Sequence, residues 1–166
     1  MQPPVPVEIR DLPPEEFESA WPIVRAVLEA GDTYALDGST TLEQARDFWT
    51  RPPVRAFVAR LDGRVVGTSA IRPAQSGRGS HVANAGYMVA PEARGQGIAR
   101  QLCEHSLGAA REMGFLAMQF SYVVSSNGTA VRVWERCGFQ VVGRVPAAFR
   151  HEQLGLVDIL VMHRFL

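Results

Sequence analysis

A chain of 166 residues, 46% of them hydrophobic, is long enough to bury a core of its own. Its seventeen basic and seventeen acidic residues cancel, so no overall field draws it to nucleic acid or a membrane surface. The basic residues are all arginine, which removes Schiff-base and lysine-base mechanisms. Cys103 and Cys137 fall in helical segments without metal-ligand spacing, and no His/Cys pairing points to a metal. The opening Met1-Gln2-Pro3-Pro4-Val5-Pro6 lacks the charged and apolar regions of a leader peptide, and no apolar run approaches membrane-spanning length. A reduced, cytoplasmic protein is the expectation.

In chain order, Val5–Arg10 reads as a short strand and Leu12–Ala30 as a helix with Pro13 and Pro14 at its start and Gly31 as its stop. Leu42–Trp49 is a shorter helix, introduced by Thr40 or Thr41 and closed by Pro52-Pro53. Val54–Leu61 and Arg64–Ile71 are strands joined by Asp62-Gly63, the strongest hairpin signal in the chain. After a polar loop at Gln75–Ser80 come a strand at Val82–Val89 and a helix at Gly97–Gly114, whose Ile98, Leu102, Ala109 and Met113 keep helical spacing. Leu116–Val124 is a nearly continuous apolar strand, the pattern of one buried on both faces. A helix opened by Asn127, a strand at Phe139–Val145, a long loop and a strand at Leu156–Phe165 complete the order.

The segment from Val89 to Ala99 carries the chemistry. An apolar strand stops at Pro91, passes through Arg94-Gly95-Gln96-Gly97 and becomes the helix starting at Ile98-Ala99. Bare glycine backbone at a helix N-terminus presents several N–H groups and a partial positive charge, which suits a phosphate. The dinucleotide fingerprint would require a third glycine where Arg100 stands, and a Walker A loop requires a lysine that the chain lacks.

What remains, Arg94-x-x-Gly97-x-Ala99, resembles the Arg/Gln-x-x-Gly-x-Gly/Ala signature of the GCN5-related N-acetyltransferases. A second match, Asn127-x-x-Ala130-x-x-x-Trp134-x-x-x-Gly138-Phe139, is similar to the segment in which that family opens a helix with asparagine and ends it in Gly-Phe. The resemblance covers roughly residues 54–165. It implies a mixed α/β acyl-CoA N-acyltransferase fold of about seven strands and four helices in a single domain over residues 1–166. Acetyl-CoA is the implied co-substrate, without a metal. An amine attacks the thioester directly, the pyrophosphate rests on the amides of Arg94 to Ala99, and a backbone N–H around Met88, Val89 and Ala90, freed by a bulge, polarises the carbonyl.

The chain departs from the family at two places. Trp134 stands where many members carry a tyrosine that protonates the leaving thiolate; it packs beside the coenzyme sulfur or fills the core. The strand before the turn, His81-Val82-Ala83-Asn84-Ala85-Gly86-Tyr87, lacks the glutamate of many members, and Asn84 is its conspicuous polar residue. The Asn-Ala-Gly-Tyr segment resembles a subgroup acting on amino acids and proline analogues.

Asn84, Ser121 and Asn127 are therefore the candidate catalytic residues, orienting an amine while water takes its proton. Asn127 also suits a helix cap, a role compatible with facing the coenzyme. Thr33 and Tyr34, in the loop between the first two helices, and Arg150, whose guanidinium fork suits a carboxylate, join Asn84 and Ser121 as acceptor-site candidates. Asp158 is read as a partner for an arginine, and His81, His105 and His163 as structural or solvated. The expected substrate is a small-molecule amine, an amino acid or analogue, with a homodimer as the candidate assembly. The alternatives are a catalytically weak acyl-CoA sensor and an acetyltransferase of peptide or protein amines.

Overall fold

The computed structural model describes residues 5–166; the first four residues of the N-terminus, read above for leader features, lie outside the described residues. Seven strands form one sheet in the order β1-β2-β3-β4-β5-β7-β6. They are β1 (Glu8–Asp11), β2 (Arg55–Leu61), β3 (Arg64–Pro73), β4 (Val82–Val89), β5 (Ala117–Val124), β6 (Gln140–His151) and β7 (Gly155–Phe165). Four α-helices accompany them: α1 (Trp21–Ala30), α2 (Leu42–Thr50), α3 (Ile98–Glu112) and α4 (Gly128–Arg136). Every neighbouring pair is antiparallel except β4 and β5. This is the mixed α/β arrangement expected from the sequence.

The helices divide between the two faces. Residues of even number on β3 and β4 face α2, where the indole N–H of Trp49 donates to Thr68 Oγ1 at 2.8 Å and the hydroxyl of Thr68 donates to the Phe57 carbonyl at 2.7 Å. Residues of odd number face α3. There a Cβ on Gly67 would meet Leu102 Cδ1 at 3.0 Å and Ile98 Cγ2 at 3.2 Å, so only glycine lets the first turns of α3 lie this close to the sheet. The start of α3 is thereby fixed beside the end of β4. No helix among the described residues is long and apolar enough to cross a membrane.

Three elements depart from the sequence reading. The first strand begins at Glu8, because the Gln101 side chain takes up the backbone before it, accepting from Val7 N–H at 3.2 Å and donating to the Val5 carbonyl at 2.8 Å. The helix expected over Leu12–Ala30 splits into a 3-10 turn, Pro14–Ser19, and α1. Pro22, which has no N–H, sits in the first turn of α1, where no intrahelical donor is needed, and so marks a new start.

The loop expected after Val145 is strand instead: β6 continues to His151. Register shifts at Val141/Gly143 and Val145/Phe149 take up Pro146 and Ala147, and Ala147 adopts φ +50°. Proline is tolerated because β6 is the edge of the sheet. Asp158 holds the bulge, pairing with Arg144 and accepting the Ala147 amide at 3.0 Å.

Candidate functional site

A wedge opens between β4 and β5. β4 pairs with β3 without interruption from Pro73↔Ala83 to Gly67↔Val89. It pairs with β5 only at Val82↔Ala117 and Ala83↔Met118, after which the strands diverge. The gap therefore opens toward the carboxyl ends of two parallel strands, where ligands enter open α/β sheets.

The hydrogen-bond phase decides which β4 amides face it. Ala90 N–H donates to Val66 O at 2.9 Å and Ala74 N–H to Val82 O at 2.8 Å. Antiparallel pairing alternates, so the even residues of β4, Met88 among them, spend their amides on β3. The odd residues Ala85, Tyr87 and Val89 turn theirs toward the gap. The expected bulge is absent from this ladder, and of the window Met88–Ala90 only Val89 directs its N–H to the wedge. The Met88 side chain is 2% exposed and belongs to the core.

The turn after β4 supplies donors in series. Gly95 and Gly97 both have φ +78°, the left-handed conformation that costs L residues with a Cβ. The amides of Gly95, Gln96, Gly97, Ile98, Ala99 and Arg100 donate to no backbone carbonyl among the described residues; the ladder of α3 opens with Gln101 N–H to Gly97 O at 3.2 Å. Gly97 is the N-cap and has no side chain to cap with. The orphan donors that other helices satisfy with Ser, Thr or Asp are left open here. Arg94 and Gly95 are exposed and Ile98 is buried, so the turn shows its backbone outward while anchoring inward.

Side chains, by contrast, line the face of the wedge turned to α2. Asn84 stands opposite Arg72 in a hydrogen-bonded pair, so the two side chains lie together on that face. Gly86 follows two residues later; a Cβ there would meet the Tyr34 hydroxyl at 2.7 Å and Trp49 Cη2 at 3.2 Å. The Tyr34 hydroxyl reaches across Gly86 and donates to the Tyr87 carbonyl at 3.2 Å, and burial holds its pKa well above the usual phenol value. On β5, Met118 and Phe120 belong to the core under α3 and α4. Strand alternation then places Gln119 and Ser121 on the same face as Asn84, with Gln119 Nε2 donating to Ser121 Oγ at 3.2 Å.

The remaining candidates are distributed differently. Asn127 caps α4, its Oδ1 accepting Ala130 N–H at 3.2 Å, which places it on the α4 side rather than beside Asn84. Trp134 is 8% exposed and lies on the opposite face of the sheet from Asn84. Its ring packs 4.7 Å from Tyr87 and 5.3 Å from Phe120, centroid to centroid, and Phe120 stacks on Phe139 at 4.0 Å. Tyr87 itself is tied to Ser106 Oγ at 2.6 Å.

Thr33 is half-buried in the loop after α1. That loop meets the β6–β7 turn, where Glu152 N–H donates to Gly31 O at 3.0 Å. Arg150 is exposed on β6 just before this contact, and His151 Nδ1 is spent on the amides of Gln153 and Leu154. Among the described residues no group of three His, Cys, Asp or Glu is placed to hold a metal.

The family model of the Acetyltransferase (GNAT) family matches residues 8–139, a span that includes the wedge and the turn. The chain belongs to the GNAT family of acetyltransferases. The N-acetyltransferase aca1 of Schizosaccharomyces pombe is 32% identical over 153 residues, covering 81% of this chain and 72% of the relative. A solved GCN5-related N-acetyltransferase from Kribbella flavida is 42% identical, with a TM-score of 0.90 over 96% of this chain and 98% of its own. A phosphinothricin acetyltransferase from Sinorhizobium meliloti, solved in complex with AcCoA, shares the fold at a TM-score of 0.87 and 20% identity, covering 98% of this chain and 89% of its own. This GNAT chain is thus an N-acetyltransferase.

Two residues of the wedge were not singled out from the sequence. Arg72 lies one residue beyond the strand expected over Arg64–Ile71 and carries no reading there, and Tyr87 reads as a strand aromatic, a core residue or a proton relay. Neither the burial of the first nor the outward amide of the second has a signal in one sequence.

Proposed function

We propose that this GNAT member transfers acetyl from acetyl-CoA to the amine of a small molecule, an amino acid or analogue. The observation that carries this reading is the run of open amides from Gly95 to Arg100 beside the divergence of β4 and β5. A pyrophosphate needs several donors at once without a competing protein acceptor, and this turn offers them at the positive end of a fifteen-residue helix. That relatives of the same fold are solved with acetyl-CoA supports the same donor here.

Acetyl-CoA supplies an activated acyl group, and the chain's residues do the rest. The gap-facing amides of Tyr87 and Val89 are the donors for the thioester oxygen, where negative charge develops. Asn84 and Ser121 orient the amine on the α2 face, and Thr33 and Tyr34 close over it. A new N–C bond forms, the C–S bond breaks, the amine proton leaves to water, and the thiolate departs as a modest base that needs no dedicated acid. Trp134 fills the aromatic core and supports Tyr87 from behind; the wedge does not depend on a tyrosine in its place.

Two further points belong to the same reading. Residues 1–166 act as one catalytic domain, in a reducing cytoplasmic setting that the free, buried thiols of Cys103 and Cys137 support. A second copy of the chain pairs along β6, the sheet edge whose Val141, Val142 and Val145 are exposed at 45%, 61% and 46%. The test of the activity is release of free thiol from acetyl-CoA with a panel of amino acids, polyamines, aminoglycosides and peptides. Turnover confined to peptide amines would replace the small-molecule acceptor with a protein one.

A further inference from the structure

Arg72 is a charged residue on the α2 face with no part in the acetyl-transfer steps above. It is half-buried at the end of β3, its guanidinium carbon 4.5 Å above the Phe48 ring of α2. Among the described residues it makes no ion pair and no side-chain hydrogen bond. The contrast with Arg55 is direct: that arginine holds Asp11 through Nε at 2.8 Å and Nη2 at 3.2 Å. A guanidinium carries five donors and is costly to bury without an acceptor. Burial indeed holds Arg72 below the usual guanidinium pKa, opposed only by nearby Tyr34.

The surroundings explain what would satisfy it. Arg72 lines a cavity of about 450 Å³ together with Phe48, Gln75 and Ser80, a size that suits a small ligand. Asp47 also lines this cavity, yet no ion pair joins it to Arg72. Contact with the Phe48 ring restrains the guanidinium, whose fork can bind a planar anion in two parallel hydrogen bonds. Across the strand lies Asn84, and three residues further along β4, about 10 Å at strand rise, comes the gap-facing amide of Tyr87. Between them Gly86 has no side chain, and the Tyr34 hydroxyl and the Trp49 ring lie over it, on the same face as Arg72 and Asn84.

We propose that Arg72 binds the carboxylate of the acceptor, so that the substrate is an amine bearing its own carboxylate, held with the carboxylate at Arg72 and the amine past Asn84. This rests on the acetyl-transfer reading above and assigns the substrate class within it. It also moves the carboxylate anchor from Arg150, which is exposed, to a half-buried guanidinium held against the Phe48 ring. Arg72 is a specificity-determining residue; it takes no part in the proton or acyl transfer.

The experiment compares amino acids with their own carboxamides. Each pair is titrated calorimetrically into the CoA-bound protein, and thiol release is measured for both members. The wild type prefers acid over amide by on the order of 100-fold, the loss expected when a charged partner of a half-buried guanidinium is neutralised. In Arg72→Gln that preference falls to within about threefold, and Arg72→Lys, which keeps charge but loses the fork, lies between. Equal binding of acid and amide by the wild type overturns the proposal without need of any variant, as does an unchanged preference in Arg72→Gln. Thiol release with neutral amines but not with acids overturns it while leaving the acetyl-transfer reading intact. Absence of both CoA binding and thiol release with every amine is the separate failure of that reading.

Discussion

In the proposed reading, the two sides of the wedge are built from different materials. The donor side is backbone: six consecutive amides at the mouth of α3 and the odd-numbered amides of β4. The acceptor side is side chain: Arg72, Asn84, Ser121 and Tyr34 on strands and a loop. Backbone donors have the same chemistry whichever residues supply them, provided the turn can form, so the donor side tolerates sequence change except at its glycines. Side chains set identity, so the acceptor side of the proposed site is the one that selects the substrate.

Gly97 separates the two sides most strongly. Gly97→Val places a β-branched residue at φ +78°, a conformation that costs about 1–2 kcal/mol even before the turn closes over a ligand. Acetyl-CoA affinity measured by calorimetry is expected to fall on the order of 100-fold, and acceptor identity should not change the size of the loss. Next comes Asn84→Ala. Misplacing a reacting group by about 1 Å can lower turnover on the order of 100-fold, so kcat/KM should fall by that order while acetyl-CoA affinity stays within about twofold. A parallel loss of acetyl-CoA affinity would erase the distinction between the two sides.

A smaller effect is expected at Gly86. Gly86→Ala brings a methyl to 2.7 Å from the Tyr34 hydroxyl, displacing that ring and costing about 1–3 kcal/mol of stability as overpacking does. The acceptor KM should rise and the melting temperature fall.

Asn127 tests whether one residue serves both sides. Loss of the cap in Asn127→Ala costs about 1 kcal/mol, whereas Asn127→Ser preserves it. Acetyl-CoA affinity restored by serine identifies a purely structural cap; affinity lost in both variants, by calorimetry, assigns Asn127 to the donor side. The smallest catalytic change is predicted for Trp134→Phe. Its cavity beside Tyr87 and Phe120 should lower the melting temperature, while kcat of the folded protein stays within about threefold. A collapse of kcat would return Trp134 to the reacting atoms.

This division also explains what the sequence disclosed. Gly95, Gly97 and Pro91 announce a turn because only certain backbones accept those residues, so the turn was legible to within a residue. The β-hairpin at Asp62-Gly63 and the cap at Asn127 were legible for the same reason. The identity of the gap-facing amides was not, since it depends on the phase of the β3–β4 ladder, which Ala90 N–H to Val66 O sets. Nor was Arg72: its lack of a partner is a property of the tertiary fold, and a lone arginine at a strand end reads as solvated. The extent of β6 was hidden because Pro146 signals a loop unless a bulge at a sheet edge absorbs it. Trp134 left two readings open in sequence, and its burial against Tyr87 and Phe120 favours the core.

Acetyl transfer itself is read by thiol release from acetyl-CoA by the purified protein with single amino acids, with the N-acetylated product identified by mass. The wedge and its open amides predict stoichiometric thiol and N-acetyl amino acid. Acetyl-CoA bound tightly with neither product formed from any amine would contradict it.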